Sequence, residues 1–331
     1  MIGWLSRLFG GGSPETPAAA PSAAAAPAPT EPPASVPTAT SMVADVDNLY
    51  YRWLVQGQHG RANHDAARII LDELVRVAKT PTAGAELVPR VPAVIPQLLR
   101  SLRDESQSGA DIARLIAQDV VLVAEVIREA NSPFYRSTTP IKTLDGAVML
   151  LGQNGLRMLL ARVAFRPIIN MQTGHFVKRV APTVWGHAEK CAQAASLLAP
   201  GAQAPVFEAY LAGLMQSVGM IVAFRVIDQV HHDEVLPQSD AFCKGLAKAG
   251  HYLSARIARL WDFPPSVAEA IRTMHEAQAE ALGQVLGLAD KLAKLRLLVD
   301  AGHVPADDPF ITQGLDRATQ RIFDKLQNEE A

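Results

Sequence analysis

Three of the nine histidines, His187, His251 and His275, together with Asp290, are the residue types that could hold a zinc-like metal in this chain. Three imidazoles and one carboxylate make a divalent site when they converge. The linear sequence does not itself bring them together. His187 lies at helical spacing from Cys191 and Ala194, which predicts an inward-pointing ring on a helix. His231-His232-Asp233 also has metal-ligand residue types, but adjacent side chains on a helix point apart, so a solvated helix end is expected. Cys191 and Cys243 share no metal-type spacing and read as buried, reduced thiols of a cytoplasmic protein. No Walker-type phosphate loop and no G-x-S-x-G nucleophile turn occurs. Gly10 to Gly12 precede no strand-helix unit and read as a hinge. Lys291, Lys294 and Arg296 are expected to form a solvated basic helix face.

Helices must position all of these groups. Asp45 or Asp47 is a candidate cap for a helix carrying Leu49, Tyr50, Trp53 and Leu54, and Asn63 for one carrying Ala66, Ile70, Leu74 and Val77. The two make a helical hairpin over residues 42–84, too small to stand alone. Further helices are expected from Pro92, from Ser108 or Gly109, and from Asp119 to Asn131, where Pro133 forces a stop. Asn131-Ser132-Pro133 and Tyr135 are explained by helix termination without a ligand. Thr143 reopens a helix that Gly152 stops, and Asn154 begins another. Helices then follow near Thr183–Leu198, Pro205–Val230, Ala241–Leu260, Pro265–Ala277, Glu280–Val299 and Pro309–Gln327. No sustained alternation suggests strands, so the chain reads as all-α.

With 331 residues, 49% apolar and 19% charged, the chain has ample length for a buried core. A net charge of -2 gives no electrostatic footprint for nucleic acid, and none is expected as a partner. No apolar run is judged long enough to span a bilayer. Residues 1–12 carry Ile2, Trp4, Leu5, Leu8 and Phe9 beside Arg7, a short amphipathic segment suited to weak contact with a membrane surface. Residues 13–41 are almost wholly Ala, Pro, Ser and Thr, and read as a disordered linker. The expected location is cytoplasmic, peripheral at the inner membrane surface if that segment works as a foot.

Seven phrases, in order, carry a resemblance. VPRVPAVIPQLLRSLRDE, AQDVVLVAEVIREANSPFY and TTPIKTLDGAVMLLGQNGLRMLL are followed by WGHAEKCAQAASLLA and YLAGLMQSVGMIVAF. GHYLSARIARLWDFPPSVAEAIRTMHE and LGLADKLAKL complete the set. Together they resemble the HDOD domain, a degenerate relative of the HD phosphohydrolases, over residues 85–295, with 296–331 as a C-terminal helical extension. The resemblance implies a compact multi-helix fold and a place in bacterial signal transduction.

Active HD enzymes are similar to one another in holding divalent metal with a His, a His-Asp doublet and a distant Asp. By resemblance the first His matches His187 and the distant Asp matches Asp290, with His251 and His275 near the extra histidines of bimetal members. The doublet matches Gln216 and Ser217, and there the match fails. An amide and a hydroxyl replace an imidazole and a carboxylate, a poor set for a transition metal. Met220 also stands where active members commonly have lysine. His187, Gln216, Ser217, His251, His275 and Asp290 are therefore expected to line a degenerate pocket, with no catalytic residue, no metal and no cofactor. The implied function is non-catalytic regulation, through contact with other signalling proteins or through a small-molecule or nucleotide ligand. A residual metal-dependent phosphohydrolase acting on a nucleotide or cyclic dinucleotide is the alternative.

Overall fold

Apolar recurrence at three and four residues becomes helix throughout the computed structural model, which describes residues 39–55, 64–80, 108–117, 120–131, 139–170, 174–309, 311 and 314–327. These belong to one unit, Thr38–Ala331. In chain order the helices are α1 (Ala39–Leu54), α2 (His64–Lys79), α3 (Gly109–Ile116), α4 (Val120–Ala130), α5 (Leu144–Asn170) and α6 (His175–Leu198). After a 3-10 turn at Ala199–Ala202 come α7 (Val206–Met215), α8 (Val218–Val230), α9 (Asp240–Leu260), α10 (Pro265–Thr273), α11 (Ala281–Asp300) and α12 (Arg317–Lys325). No strand occurs among the described residues. The all-α expectation holds. The amphipathic segment 1–12, nearly all of the linker, the helix expected from Pro92, Asp119, and the Ser132-Pro133 and Tyr135 readings lie outside the described residues.

The helix α6 is the axis of the fold, touching α5 on one side and α7, α8 and α11 on others. Its inner face is largely alanine, with Ala188, Ala192 and Ala195 fully buried, so neighbouring axes come close. The approach of α7 needs Gly213, because a Cβ there would lie 2.4 Å from the Ala192 Cα. The helix α9 packs along α8, with α2 against both and α1 lying across α9 and α11, while α3 and α4 lie against α5. Asn131 ends α4 by donating to the carbonyls of Ile127 and Ile141 at 2.8 and 2.7 Å and accepting from the Ile141 amide. That supports a fold-maintaining role for Asn131.

Several boundaries differ from expectation, each through a contact distant in sequence. The helix expected from Thr183 begins at His175 and runs through Pro182. Its first turn is capped from α8, where the Asp228 carboxylate accepts from the amides of Phe176 and Val177 at 2.8 and 3.2 Å. Asp47 lies inside α1, which starts at Ala39, so it is not a cap. Gly152 breaks α5 as expected, with φ 64° and ψ -179° inside an otherwise helical run. Within the span expected as one helix, Pro309–Gln327, α12 opens where Asp316 accepts from the Thr319 amide at 2.8 Å.

The largest correction concerns Pro205–Val230, expected as one helix and found as two. The break falls at Gln216-Ser217, where the Ser254 hydroxyl donates to the Gln216 carbonyl at 2.6 Å and accepts from the Gly219 amide at 2.7 Å. One side chain from α9 thus satisfies backbone groups that the break exposes. The stretch Val206–Val230 is also long and apolar enough to cross a membrane, with mean hydropathy 1.6, contrary to the expectation that no run qualified. Within this fold 89% of that window is buried as core.

Candidate functional site

The turn between α7 and α8 aims Gln216 and Ser217 at the same ring. His187, on α6, is 4% exposed, and its Nδ1 lies 3.2 Å from Ser217 Oγ and 3.4 Å from Gln216 Nε2. Gln216 Nε2 also donates to Ser217 Oγ at 3.0 Å. On the other edge of the ring, His187 Nε2 is 3.0 Å from Asp290 Oδ1 of α11. That pair is in ion-pair range but out of line for a hydrogen bond, so both atoms are buried without a hydrogen-bond partner. The network is best satisfied by an Nδ1 lone pair facing Gln216 and Ser217 and an Nε2 proton facing Asp290. Four of the six expected pocket residues therefore meet.

The other two lie to one side. The rings of His251 and His275 sit 4.8 Å apart against each other. His251 is half-buried and lines the same cavity, whereas His275 is exposed. No three His, Cys, Asp or Glu side chains converge on a metal-sized point among the described residues. Burial pushes His251 down to about 3, so it stays neutral in the folded protein. The sign follows directly. With a folded value below the ordinary one near 6.5, the unfolded chain takes up the proton first, and stability is complete only above that pH. Lowering the pH from 7 to 5 is expected to cost about 1 kcal/mol through this ring, allowing for its partial exposure. Urea titrations of His251→Gln across that range should show a flatter dependence, and an unchanged slope would reject the assignment.

At the centre stands a residue expected elsewhere. Lys294 is 6% exposed, and its ammonium donates to Asp290 Oδ2 at 2.7 Å and to Asp47 Oδ1 of α1 at 2.7 Å. The solvated basic face expected over Lys291, Lys294 and Arg296 is thus corrected. Arg296 is also buried, with Nε 2.7 Å from Asp300 and its guanidinium over the Phe323 ring of α12. Both cations lie four residues from an acid on the same helix, a spacing legible in the sequence. Burial works to raise the Asp290 carboxyl, but the Lys294 ammonium and His187 outweigh it and hold it well below the usual range. Burial alone would lower Lys294, yet Asp290 and Asp47 lift it above its ordinary value. The two partners agree on a charged pair.

The mouth of the site is covered by α1. Tyr50 lays its ring 5.1 Å from that of His187, and Lys294 sits 5.8 Å from the same tyrosine ring. The enclosed cavity is about 40 Å³, room for roughly three water molecules. Asp47, Tyr50 and Lys294 were missed by sequence reasoning, Asp47 and Tyr50 because a contact between α1 and α11 leaves no local trace. The two other histidine-type readings are mixed. His231 is buried, with Nε2 2.9 Å from the Val235 carbonyl, while His232 and Asp233 are exposed and point elsewhere.

These residues do not suit a divalent metal. Both carboxylates at the site, Asp290 and Asp47, already bond the Lys294 ammonium, so a cation there would meet a positive charge. The amide and hydroxyl of Gln216 and Ser217 add no negative charge. A buried carboxylate that holds a lysine this closely would have to surrender it before binding an ion.

Comparison with known proteins places the fold. The HDOD domain matches residues 88–277, more than half of the chain. An uncharacterized protein of Treponema pallidum is 24% identical over 198 residues, covering 57% of this chain and 37% of its own length. The chain therefore spans little more than a third of that curated relative. Among solved structures, an HDOD domain protein of unknown function from Geobacter sulfurreducens is similar at TM-score 0.56 and 23% identity, over 80% of this chain and 89% of the other. A provisionally named metal-dependent phosphohydrolase from Shewanella amazonensis aligns at TM-score 0.53 and 19% identity, over 79% and 98%. A provisionally named signal transduction protein from Marinobacter aquaeolei aligns at 0.52 and 21%, over 82% and 65%. At these identities the likenesses speak for the fold. With the family match over residues 88–277, more than half of its length, this chain belongs to the HDOD domain family.

Proposed function

We propose that the protein is a non-catalytic regulatory module of signal transduction, acting through contact with other signalling proteins or by sensing a ligand in its degenerate pocket. One observation carries the reading. The Lys294 ammonium, held at 2.7 Å by both Asp290 and Asp47, already satisfies the carboxylates that a water-activating metal would need. With α1 seated as in this structure, the cavity of about 40 Å³ has no room for a nucleotide phosphoester. The kinship to a protein named for signal transduction agrees with this reading. Without catalytic groups, output must come from unequal binding to two states of a partner or of the module itself.

The test is direct. Protein purified in the presence of Mn, Fe or Zn is expected to hold well under one metal per chain. It should turn over nucleotides and cyclic dinucleotides no faster than Asp290→Asn. Stoichiometric metal, together with turnover that Asp290→Asn abolishes, would establish the phosphohydrolase alternative instead.

A further inference from the structure

Three of the polar atoms facing the cavity are buried with no hydrogen-bond partner: Tyr50 Oη, His187 Nε2 and Asp290 Oδ1. Asn48 Oδ1, also on α1, is a fourth such atom nearby in sequence. Two of the four therefore ride on the helix that closes the site. Lifting α1 would open both atoms to bulk water.

The two carboxylates on Lys294 are not equivalent. Asp290 is fully buried and projects from the same helix as Lys294, one turn away, so it is a fixed counterion. Asp47 arrives from α1, 247 residues distant in sequence, with its side chain 34% exposed. Partial exposure weakens that contact and admits competition from solvent ions. Of the two counterions of Lys294, Asp47 is thus the one that an external anionic oxygen can replace.

We infer that Lys294 anchors a binding site for the oxyanion group of a small ligand, a carboxylate or a phosphate, and that Asp47 holds this place while α1 is closed. On this view α1 is a lid, and ligand competes with it. Val46, Tyr51 and Leu54 keep the lid seated by packing, aided by Arg52, which reaches Asp240 of α9 at 2.8 Å. Ligand binding replaces one carboxylate by another anion and releases Tyr50 and Asn48 to water. The inference rests on the regulatory reading above, since it gives the pocket a ligand-dependent change of shape and no reaction.

Hydrogen exchange of α1 in the full chain tests it, with inorganic phosphate or acetate as probe against sodium chloride at equal ionic strength. Phosphate, acetate or both should accelerate exchange of α1 several-fold while leaving α6 and α11 unchanged. Which of the two acts identifies the source of the oxyanion. Asp47→Asn should loosen α1 without any probe and lower the probe concentration needed, because closure no longer competes. Lys294→Gln should abolish the response to probe. If that variant does not fold, Asp47→Asn decides alone. The inference is overturned if α1 exchanges alike with chloride and with both oxyanions, or if Asp47→Asn leaves α1 as protected as before. Turnover is not read here, so a lid response in a protein that hydrolyses nucleotides would remove the regulatory reading and keep the site.

Discussion

Replacing Lys294 with methionine is expected to destabilise the protein by about 3–5 kcal/mol, the range for breaking a buried ion pair from one side. The substitution keeps the length of the chain and removes the charge. Asp290, with no exposure, then has only the misaligned edge of His187 opposite it. Asp47 suffers less, since it can turn to water. The double variant Asp290→Leu/Lys294→Met should recover much of the loss, because it leaves no carboxylate stranded at the centre. The pH dependence gives a second handle. In the native protein Lys294 holds Asp290 below its unfolded value, so the carboxylate adds stability at every pH above about 4 and loses it below. Without the ammonium, only the neighbouring histidines oppose burial, and the Asp290 carboxyl rises from its native position. The deficit of Lys294→Met should therefore be largest at neutral pH and shrink as the pH falls towards 4. Urea midpoints at pH 7 and pH 5 measure both effects. A loss below about 1 kcal/mol at pH 7 would mean that the pair is solvated and that Lys294 does not fill the site.

Gly219→Ala should cost about 3 kcal/mol, the upper part of the range for overpacking. A Cβ at this position would lie 2.0 Å from the Gly250 carbonyl and 2.5 Å from the Ser254 amide, so α8 and α9 would have to separate. The direction is informative because intrinsic helix propensity favours alanine over glycine by about 1 kcal/mol. Gly201→Ala, where an added Cβ meets nothing within 4 Å, serves as the control and should be close to neutral. Separation of the helices would also pull Ser254 away from the Gln216 carbonyl and the Gly219 amide, loosening the turn that aims Gln216 and Ser217. Near-ultraviolet circular dichroism of the aromatic residues should change along with stability. A Gly219→Ala protein as stable as the parent would mean that the α8–α9 contact yields easily and does not fix the turn.

Much of this was legible in the residues themselves. Apolar side chains at helical spacing, with Gly152 as punctuation, determined where most helices run and that no strand interrupts them among the described residues. The pairing of His187 with Asp290, and the facing pair Gln216 and Ser217, could be anticipated through resemblance alone, since they come from three separate segments. Periodicity failed at Val206–Val230 for a definite reason. Apart from Gln216 and Ser217, Leu211 to Phe224 is an unbroken run of apolar residues and glycine, so no helix-breaking signal marks the turn that Ser254 stabilises from another helix.

Sequence therefore determined the helical class, the inward face of α6 and the absence of a metal-binding doublet, because each depends on residue type and short-range spacing. Tertiary structure alone decided what occupies the pocket in place of an ion. A lysine four residues after an aspartate reads equally well as a surface pair or a buried one, and the difference is made by α1 arriving from the far end of the chain. Burial sets the strength of charge interactions through the local dielectric, and burial is a property of the packed assembly of helices rather than of any one segment.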